Sequence, residues 1–344
     1  MRNQDRSPRF RRNAELEGLL DELNGLLAGP QAEVLAAHTR PRHPPVFVVG
    51  CARSGTTLAM QLLAASGWFG YPSNLISRFY AAPYIGARIQ QMLVERKYAF
   101  GDELDTGAGD AHSSFSSALG KTRGMLAPNE FWYFWRRYFP PLDVHPFSDD
   151  QLQGVDKAGF RAELAALEAA LERPLAMKAM IMNWNIPFLA ELFDNALFVH
   201  VKRDPFFNMQ SLWLARRQFF GDDAAWYSFK PPEYEALSRR PVPEQLAGQV
   251  FHTNRAIEAG LAQLPETSRL VLDYEELCLD PAAALARLAG RLEQLGCRLP
   301  GRCRVPGQFA PARSVRLPRS DAAALERAYA ALTGPHTEAG QAAV

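Results

Sequence analysis

Val46-Phe47-Val48-Val49 is a run of β-formers with no polar interruption, and such a run predicts a strand covered on both faces, as in parallel sheets. Leu58–Ala65 then has helical composition, so 46–66 predicts a strand–loop–helix unit. The same order of signals returns at 196–218. Ala196-Leu197-Phe198-Val199-His200-Val201 is the strand, Arg203-Asp204-Pro205 the turn, and Phe207 onward the helix, with Pro205 suited to its first turn. A third apolar run, Leu270-Val271-Leu272, leads into Asp273-Tyr274-Glu275-Glu276 and, after Asp280-Pro281, an Ala/Leu-rich helix. Strands alternating with helices predict an α/β fold: a mainly parallel central sheet flanked by helices.

Upstream, Leu16, Leu19, Leu20, Leu23, Leu26, Leu27, Val34 and Leu35 fit a helical stripe interrupted near Gly29-Pro30. The expected organisation is an N-terminal helical arm over 1–42, a main domain over 43–333 and a small, polar, frayed tail over 334–344. The arm would pack on the domain or on a second subunit of a homodimer.

Composition narrows the partners. In 344 residues, 47% are apolar and 22% charged, which are the proportions of an ordinary globular protein. Lys+Arg 38 against Asp+Glu 37 leaves no global basic field. No nucleic-acid partner is therefore expected, and any anion recognition must be local. Cys51, Cys278, Cys297 and Cys303 have no zinc spacing. Cys51 reads as a small apolar filler, and a Cys297–Cys303 bridge is the minor alternative to free thiols. The basic start MRNQDRSPRFRRN lacks an apolar stretch after it, and no run approaches ~18 apolar residues, so neither a signal peptide nor an integral membrane segment is expected. The expected compartment is the cytoplasm.

Gly50-Cys51-Ala52-Arg53-Ser54-Gly55-Thr56-Thr57 has the G-x4-G frame of a phosphate-binding loop. Two glycines let successive amides face one anion, and the following helix adds its N-terminal dipole. In an ATP-type loop the second glycine precedes lysine. Here Thr56 stands in that position, and the cation comes earlier, at Arg53. The loop therefore lacks the charge that reaches a γ-phosphate.

With these residues in view, Val46–Leu58 resembles the 5′-phosphosulfate loop of sulfotransferases that use 3′-phosphoadenosine-5′-phosphosulfate. Arg53 matches the Golgi-type and bacterial branch, whereas the cytosolic branch usually has lysine there. Phe198–Pro205 followed by Ser211-Leu212 is similar to the 3′-phosphate motif of that family. Leu272–Leu277 with Asp280-Pro281 resembles its downstream Tyr-Glu-x-Leu…Asp-Pro scaffold segment.

The resemblance covers roughly 46–281 and implies a nucleotide-kinase-like fold of P-loop type, with 3′-phosphoadenosine-5′-phosphosulfate as donor and adenosine 3′,5′-bisphosphate as product. It implies no essential metal. Arg53, Ser54, Gly55, Thr56 and Thr57 would hold the 5′-phosphosulfate, while Arg203 and Ser211 would hold the 3′-phosphate. Arg53 would also neutralise the departing phosphate, since arginine is a permanent forked cation.

The implied acceptor is a hydroxylated small molecule, carbohydrate or glycolipid. A general base near the sulfur is then needed, and the family draws it from variable segments. Glu130, bordered by aromatics in Asn129–Arg137, is the first choice, because partial desolvation would raise its pKa. The same residue also reads as a salt-bridged cap on an aromatic core helix. His112 is the second candidate. Lys178 reads either as a pocket-facing lysine, as is frequent in the family, or as a surface lysine. Ser73–Arg78 would line the acceptor pocket, and Arg313 or Arg316 would reach the 3′-phosphate. The enzymatic rival is a small-molecule kinase or nucleotide hydrolase, for which Asp273 is the candidate magnesium ligand and Thr56 the obstacle. The non-enzymatic rival is a nucleotide-binding scaffold.

Overall fold

The computed structural model describes residues 3–98, 115–140, 144–300, 303 and 307–334. His112, most of the loop around it and the tail beyond Gly334 lie outside the described residues. Six strands are present among those described: β1 (Val46–Val49), β2 (Ser117–Ala118), β3 (Lys121–Thr122), β4 (Ala176–Lys178), β5 (Leu197–Lys202) and β6 (Arg269–Asp273). Four of them form one all-parallel sheet in the order β4-β1-β5-β6. β2 and β3 make a separate hairpin turned at Leu119-Gly120, both with positive φ.

The alternating side chains of β1 explain why it reads as uninterrupted apolar sequence. Phe47 and Val49 face a core of Phe131, Phe134, Trp135 and Phe160. Val46 and Val48 face Met60, Leu62, Leu285 and Leu288 on the other side. Burial on both faces removes any place for a polar residue. β6 is the sheet edge, and there Leu270 and Leu272 are buried while Val271 is 40% exposed.

Chain connections from the adjacent strands β1 and β5 run in opposite directions across the sheet. Their carboxyl ends therefore open a crevice, which is where ligands of open parallel sheets bind. The loop Gly50–Gly55 leaves β1 at that point, and Arg203-Asp204 leaves β5 beside it. β4 is not among the strands that the sequence predicts. Three residues are too few to show a period, and their pairing with β1 is a tertiary fact.

The N-terminal arm differs from expectation. Ala14–Leu35 is one helix, capped by the Asn13 side chain and continuous through Gly29-Pro30. Pro30 is solvent-facing, so water can satisfy the carbonyl whose amide partner it lacks. The buried face is also mixed, not a leucine stripe. Leu20, Asn24 and Gln31 face inward, whereas Leu19, Leu23 and Leu26 are exposed. Asn24 donates to the Arg78 carbonyl at 2.8 Å and accepts from the Ala81 amide at 2.7 Å, and Gln31 donates to Glu163 at 2.8 Å. The arm thus packs on its own domain. No helix among the described residues is long and apolar enough to cross a membrane.

Candidate active site

A cavity of about 1940 Å³ opens over the carboxyl ends of β1, β4 and β5. Its floor is the loop that the sequence singled out. Gly50 cannot carry a side chain, because a Cβ would lie 2.8 Å from the Val201 carbonyl oxygen and 2.9 Å from Thr56 Cγ2. Gly55 has φ +104°, and a Cβ there would clash with Tyr274 Cδ2. Arg53 sits at φ +70°, a conformation that side chains adopt at a cost and that recurs at ligand sites.

Two buried asparagines hold this turn. Asn183 both donates to the Gly50 carbonyl (3.0 Å) and accepts from its amide (3.3 Å), while Asn208 donates to the Ala52 carbonyl (2.8 Å). Beyond Gly55 the helix Thr56–Ala65 starts, so its free amides point into the turn.

The two anion motifs, 150 residues apart in sequence, converge. Arg53 Nε donates to Ser211 Oγ at 3.2 Å, and Arg203 donates to the Arg53 carbonyl at 3.1 Å and to the Ala312 carbonyl at 2.7 Å. The Arg203 guanidinium lies 4.7 Å from the centre of the Tyr274 ring. Two groups here remain unsatisfied: the Ser54 hydroxyl and Arg203 Nε are buried and have no hydrogen-bond partner. Leaving such groups unpaired costs about 1–3 kcal/mol each, and an anion seated in the loop would relieve both. The donor set therefore fits a phosphate-bearing nucleotide.

At the other side of the loop, Lys178 at the end of β4 donates to Thr57 Oγ1 (2.7 Å) and to Glu130 Oε1 (2.8 Å). Trp132 Nε1 donates to Glu130 Oε2 at 2.6 Å. Lys178 is a buried pocket lysine and not a surface one. Glu130 corrects the expectation about its acidity. Burial pushes its pKa up, as expected, but the Lys178 ammonium, the hydrogen bonds from Lys178 and Trp132, and Arg53 outweigh burial and leave it below its ordinary value. Glu130 is thus an ion-paired carboxylate that faces the cavity, and it does not cap the helix Trp132–Tyr138, which has no side-chain cap.

Of the aromatic run, Phe131, Phe134 and Trp135 are core, while Trp132 and Tyr133 line the cavity. Asn74, Leu75, Ser77 and Arg78 line it too, as does Arg316; Arg313 does not. Asp273 lies on the exposed end of the edge strand and does not line the cavity, which weakens the kinase alternative. All four cysteines are free. Burial pushes the Cys51 thiol up to about 12, in keeping with a filler.

Sequence reasoning missed several participants. Tyr274 stood in the scaffold segment, yet its ring supports Gly55 and Arg203. Asn208 lies on the same helix as Ser211 and could have been flagged by its closeness to Arg203. Tyr227 lines the cavity, and burial pushes its hydroxyl up to about 12 while Arg53 and Glu130 both act on it. Nothing in the sequence pointed to it.

Three comparisons bear on identity. Residues 44–295 match the profile described as the sulfotransferase family. Two curated proteins, each called omega-hydroxy-beta-dihydromenaquinone-9 sulfotransferase Stf3, from Mycobacterium bovis and Mycobacterium tuberculosis, are 24% identical over 263 residues. That stretch is 73% of this chain and 63% of theirs, so the chain spans less than two thirds of the length of these relatives. Among solved structures, sulfotransferase STF9 from Mycobacterium avium aligns with TM-score 0.48 and 16% identity over 90% of this chain and 72% of that one. STF1 from Mycobacterium tuberculosis H37Rv aligns with TM-score 0.47 and 14% identity over 80% and 72%. The profile match takes in both anion motifs and all four strands of the main sheet, and on that match the chain belongs to the sulfotransferase family.

Proposed function

We propose that the chain transfers a sulfuryl group from 3′-phosphoadenosine-5′-phosphosulfate to the hydroxyl of an acceptor. The observation that carries this is that Arg53 bonds Ser211 while Arg203 bonds the Arg53 carbonyl, beside the unpaired Ser54 hydroxyl and Arg203 Nε. An ATP-type site has no need of the second cation cluster, and a pure scaffold has no need of the Lys178–Glu130 pair.

The donor supplies a sulfonate on a phosphate anhydride. Ser54, Thr56, Thr57 and the loop amides would hold its 5′ end, and Arg203 with Ser211 the 3′-phosphate. In the transfer, the acceptor oxygen bonds to sulfur as the bond from sulfur to the bridging oxygen breaks. Glu130 takes the acceptor's proton, and Arg53 and Lys178 offset the charge that the 5′-phosphate gains. Such positioning and charge stabilisation supply most of the acceleration in the related phosphoryl transfers.

Lys178 gives this arrangement a further property. Its ammonium spans the loop and Glu130, so an anion bound in the loop competes with Glu130 for it. Glu130 relieved of that pairing becomes a stronger base, and its basicity rises only when the donor site is filled.

The acceptor is a hydroxylated molecule, either a carbohydrate or glycolipid or, by analogy with the name of the mycobacterial relatives, a lipid alcohol. The aromatic lining at Trp132, Tyr133, Phe219 and Trp226 suits an apolar or ring-bearing body. A thermal-shift titration tests the donor assignment. Adenosine 3′,5′-bisphosphate should stabilise the chain at concentrations where ATP with Mg²⁺ does not. Selective stabilisation by ATP–Mg²⁺ would sink the reading, and no shift with either ligand would favour a scaffold.

A further inference from the structure

Residues near the start of the chain line the same cavity as the nucleotide loop. Ser7 holds the segment down, its amide donating to the Phe219 carbonyl (2.8 Å) and its hydroxyl to the Gln218 carbonyl (2.9 Å). Phe10 is buried against Phe219, with ring centres 4.9 Å apart. This anchoring brings Arg6 and Arg12 to the cavity wall, where they meet Arg136 from the aromatic helix Trp132–Tyr138 and Lys121 from the β2–β3 hairpin.

The four cations repel one another. Burial and then Arg12 and Arg136 lower the pKa of Arg6; burial and then Arg12 lower that of Arg136. Lys121 is lowered by burial and then by Arg6 and Arg12, against an opposing pull from Glu130. The carboxylate acting on both Arg6 and Arg136 is Glu17. Glu17 is already engaged, accepting from the Tyr133 hydroxyl at 2.6 and 2.7 Å and pairing with Arg12 at 3.5 Å. Asp5 and Asp222 line the same cavity. Arg6 Nε is buried without a partner. Guanidiniums do not escape such crowding by deprotonating, so the cluster carries a standing cost that a bound anion would relieve.

We propose that Arg6, Arg12, Arg136 and Lys121 form an anion subsite at the acceptor end of the cavity, and that the natural acceptor is an amphipathic alcohol bearing a carboxylate, phosphate or sulfate at a distance from its hydroxyl. The proposal rests on the reading of the Glu130 end as the acceptor pocket. The hydroxyl lies toward Glu130 and Lys178, the apolar body runs along Trp132 and Phe219, and the oxyanion meets the arginines. The charged end sets orientation, which presents one hydroxyl to Glu130 and excludes neutral alcohols of equal length.

The test uses the intact chain with its nucleotide site saturated by adenosine 3′,5′-bisphosphate, and two probes of equal shape, 12-hydroxydodecanoate and its uncharged amide, titrated calorimetrically. The carboxylate should bind about tenfold more tightly than the amide, the scale of one charge-assisted contact. Arg6→Gln and Arg136→Gln should each shrink that ratio to below about threefold, Arg136→Lys should keep most of it, and none should change bisphosphate affinity. A ratio below about threefold in the unaltered chain overturns the proposal. So does a ratio that survives both glutamine substitutions, or failure of the carboxylate to bind. Absence of bisphosphate binding would instead overturn the donor assignment, and the same probe pair titrated without nucleotide still decides the anion subsite.

Discussion

The loop end and the Glu130 end of the cavity achieve rigidity by different means. At the loop end the functional groups belong to two contiguous segments, 50–57 and 203–211, each placed by a parallel strand and the helix after it. Their geometry is enforced by backbone: Gly50 against the Val201 carbonyl, Gly55 against Tyr274, and carbonyls captured by Asn183 and Asn208. At the other end the groups come from the chain start, the β2–β3 hairpin, the 130–136 segment and β4, and side-chain contacts hold them together: the Lys178–Glu130 ion pair, the Tyr133–Glu17 hydrogen bonds and the packing of Phe10 on Phe219. Backbone packing tolerates almost no change in side chain, whereas charge pairs allow exchange of partners. A family can therefore keep one donor site while its acceptor site varies.

Four substitutions would break or sharpen that contrast. The largest effect is expected for Glu130→Gln, which removes the proposed proton acceptor while keeping shape. Turnover should fall about 10²–10⁴-fold, the usual worth of a general base, with bisphosphate affinity within about threefold of the original. Equal loss in both measurements would show that Glu130 serves the donor loop and not the acceptor. Arg203→Ala should come next. Loss of a charged hydrogen-bond donor costs about 1.5–3 kcal/mol, so bisphosphate should bind about 10–150-fold more weakly. A nucleotide lacking the 3′-phosphate should be nearly unaffected, and equal weakening of both would contradict the assignment of that site.

Smaller still, Gly50→Ala forces its Cβ against a strand carbonyl, and strain of this kind costs about 1–3 kcal/mol. A lower melting temperature should accompany weaker nucleotide binding. The corresponding change at the other end, Arg136→Ala, should leave the melting temperature nearly unmoved, and a comparable fall for both would erase the distinction.

The smallest effect concerns pH. Because the folded state lowers the Glu130 pKa, the Lys178–Glu130 pair contributes stability above the unfolded value, and that stability is lost as pH falls through the depressed folded value. Acid titration of melting temperature should show this loss below the ordinary carboxylate range, and it should vanish in Glu130→Gln. A loss that persists unchanged in that variant assigns it to other carboxylates.

The sequence alone settled the α/β class and marked the loop as a candidate anion site. Those features are written in short contiguous strings, where strand burial, glycine spacing and helix starts leave local marks. Arg53 was singled out by its place inside the glycine frame of the loop, and Arg203 with Ser211 by the resemblance of their segment to a 3′-phosphate motif. The sequence could not reveal β4, whose three residues have no readable period. The unbroken helix through Pro30 was equally hidden, since only its exposure makes the missing amide harmless. The acidity of Glu130 was misread for a related reason. Burial was legible in the neighbouring aromatics, but the opposing Lys178 lies 48 residues away in sequence and reaches Glu130 only through the pairing of β4 with β1. The arginine cluster is likewise a product of tertiary structure alone. Charges from residues 6, 12, 121 and 136 sum in one place only because the chain start is anchored to Gln218 and Phe219, and electrostatic energy depends on distance in space, not on separation along the chain.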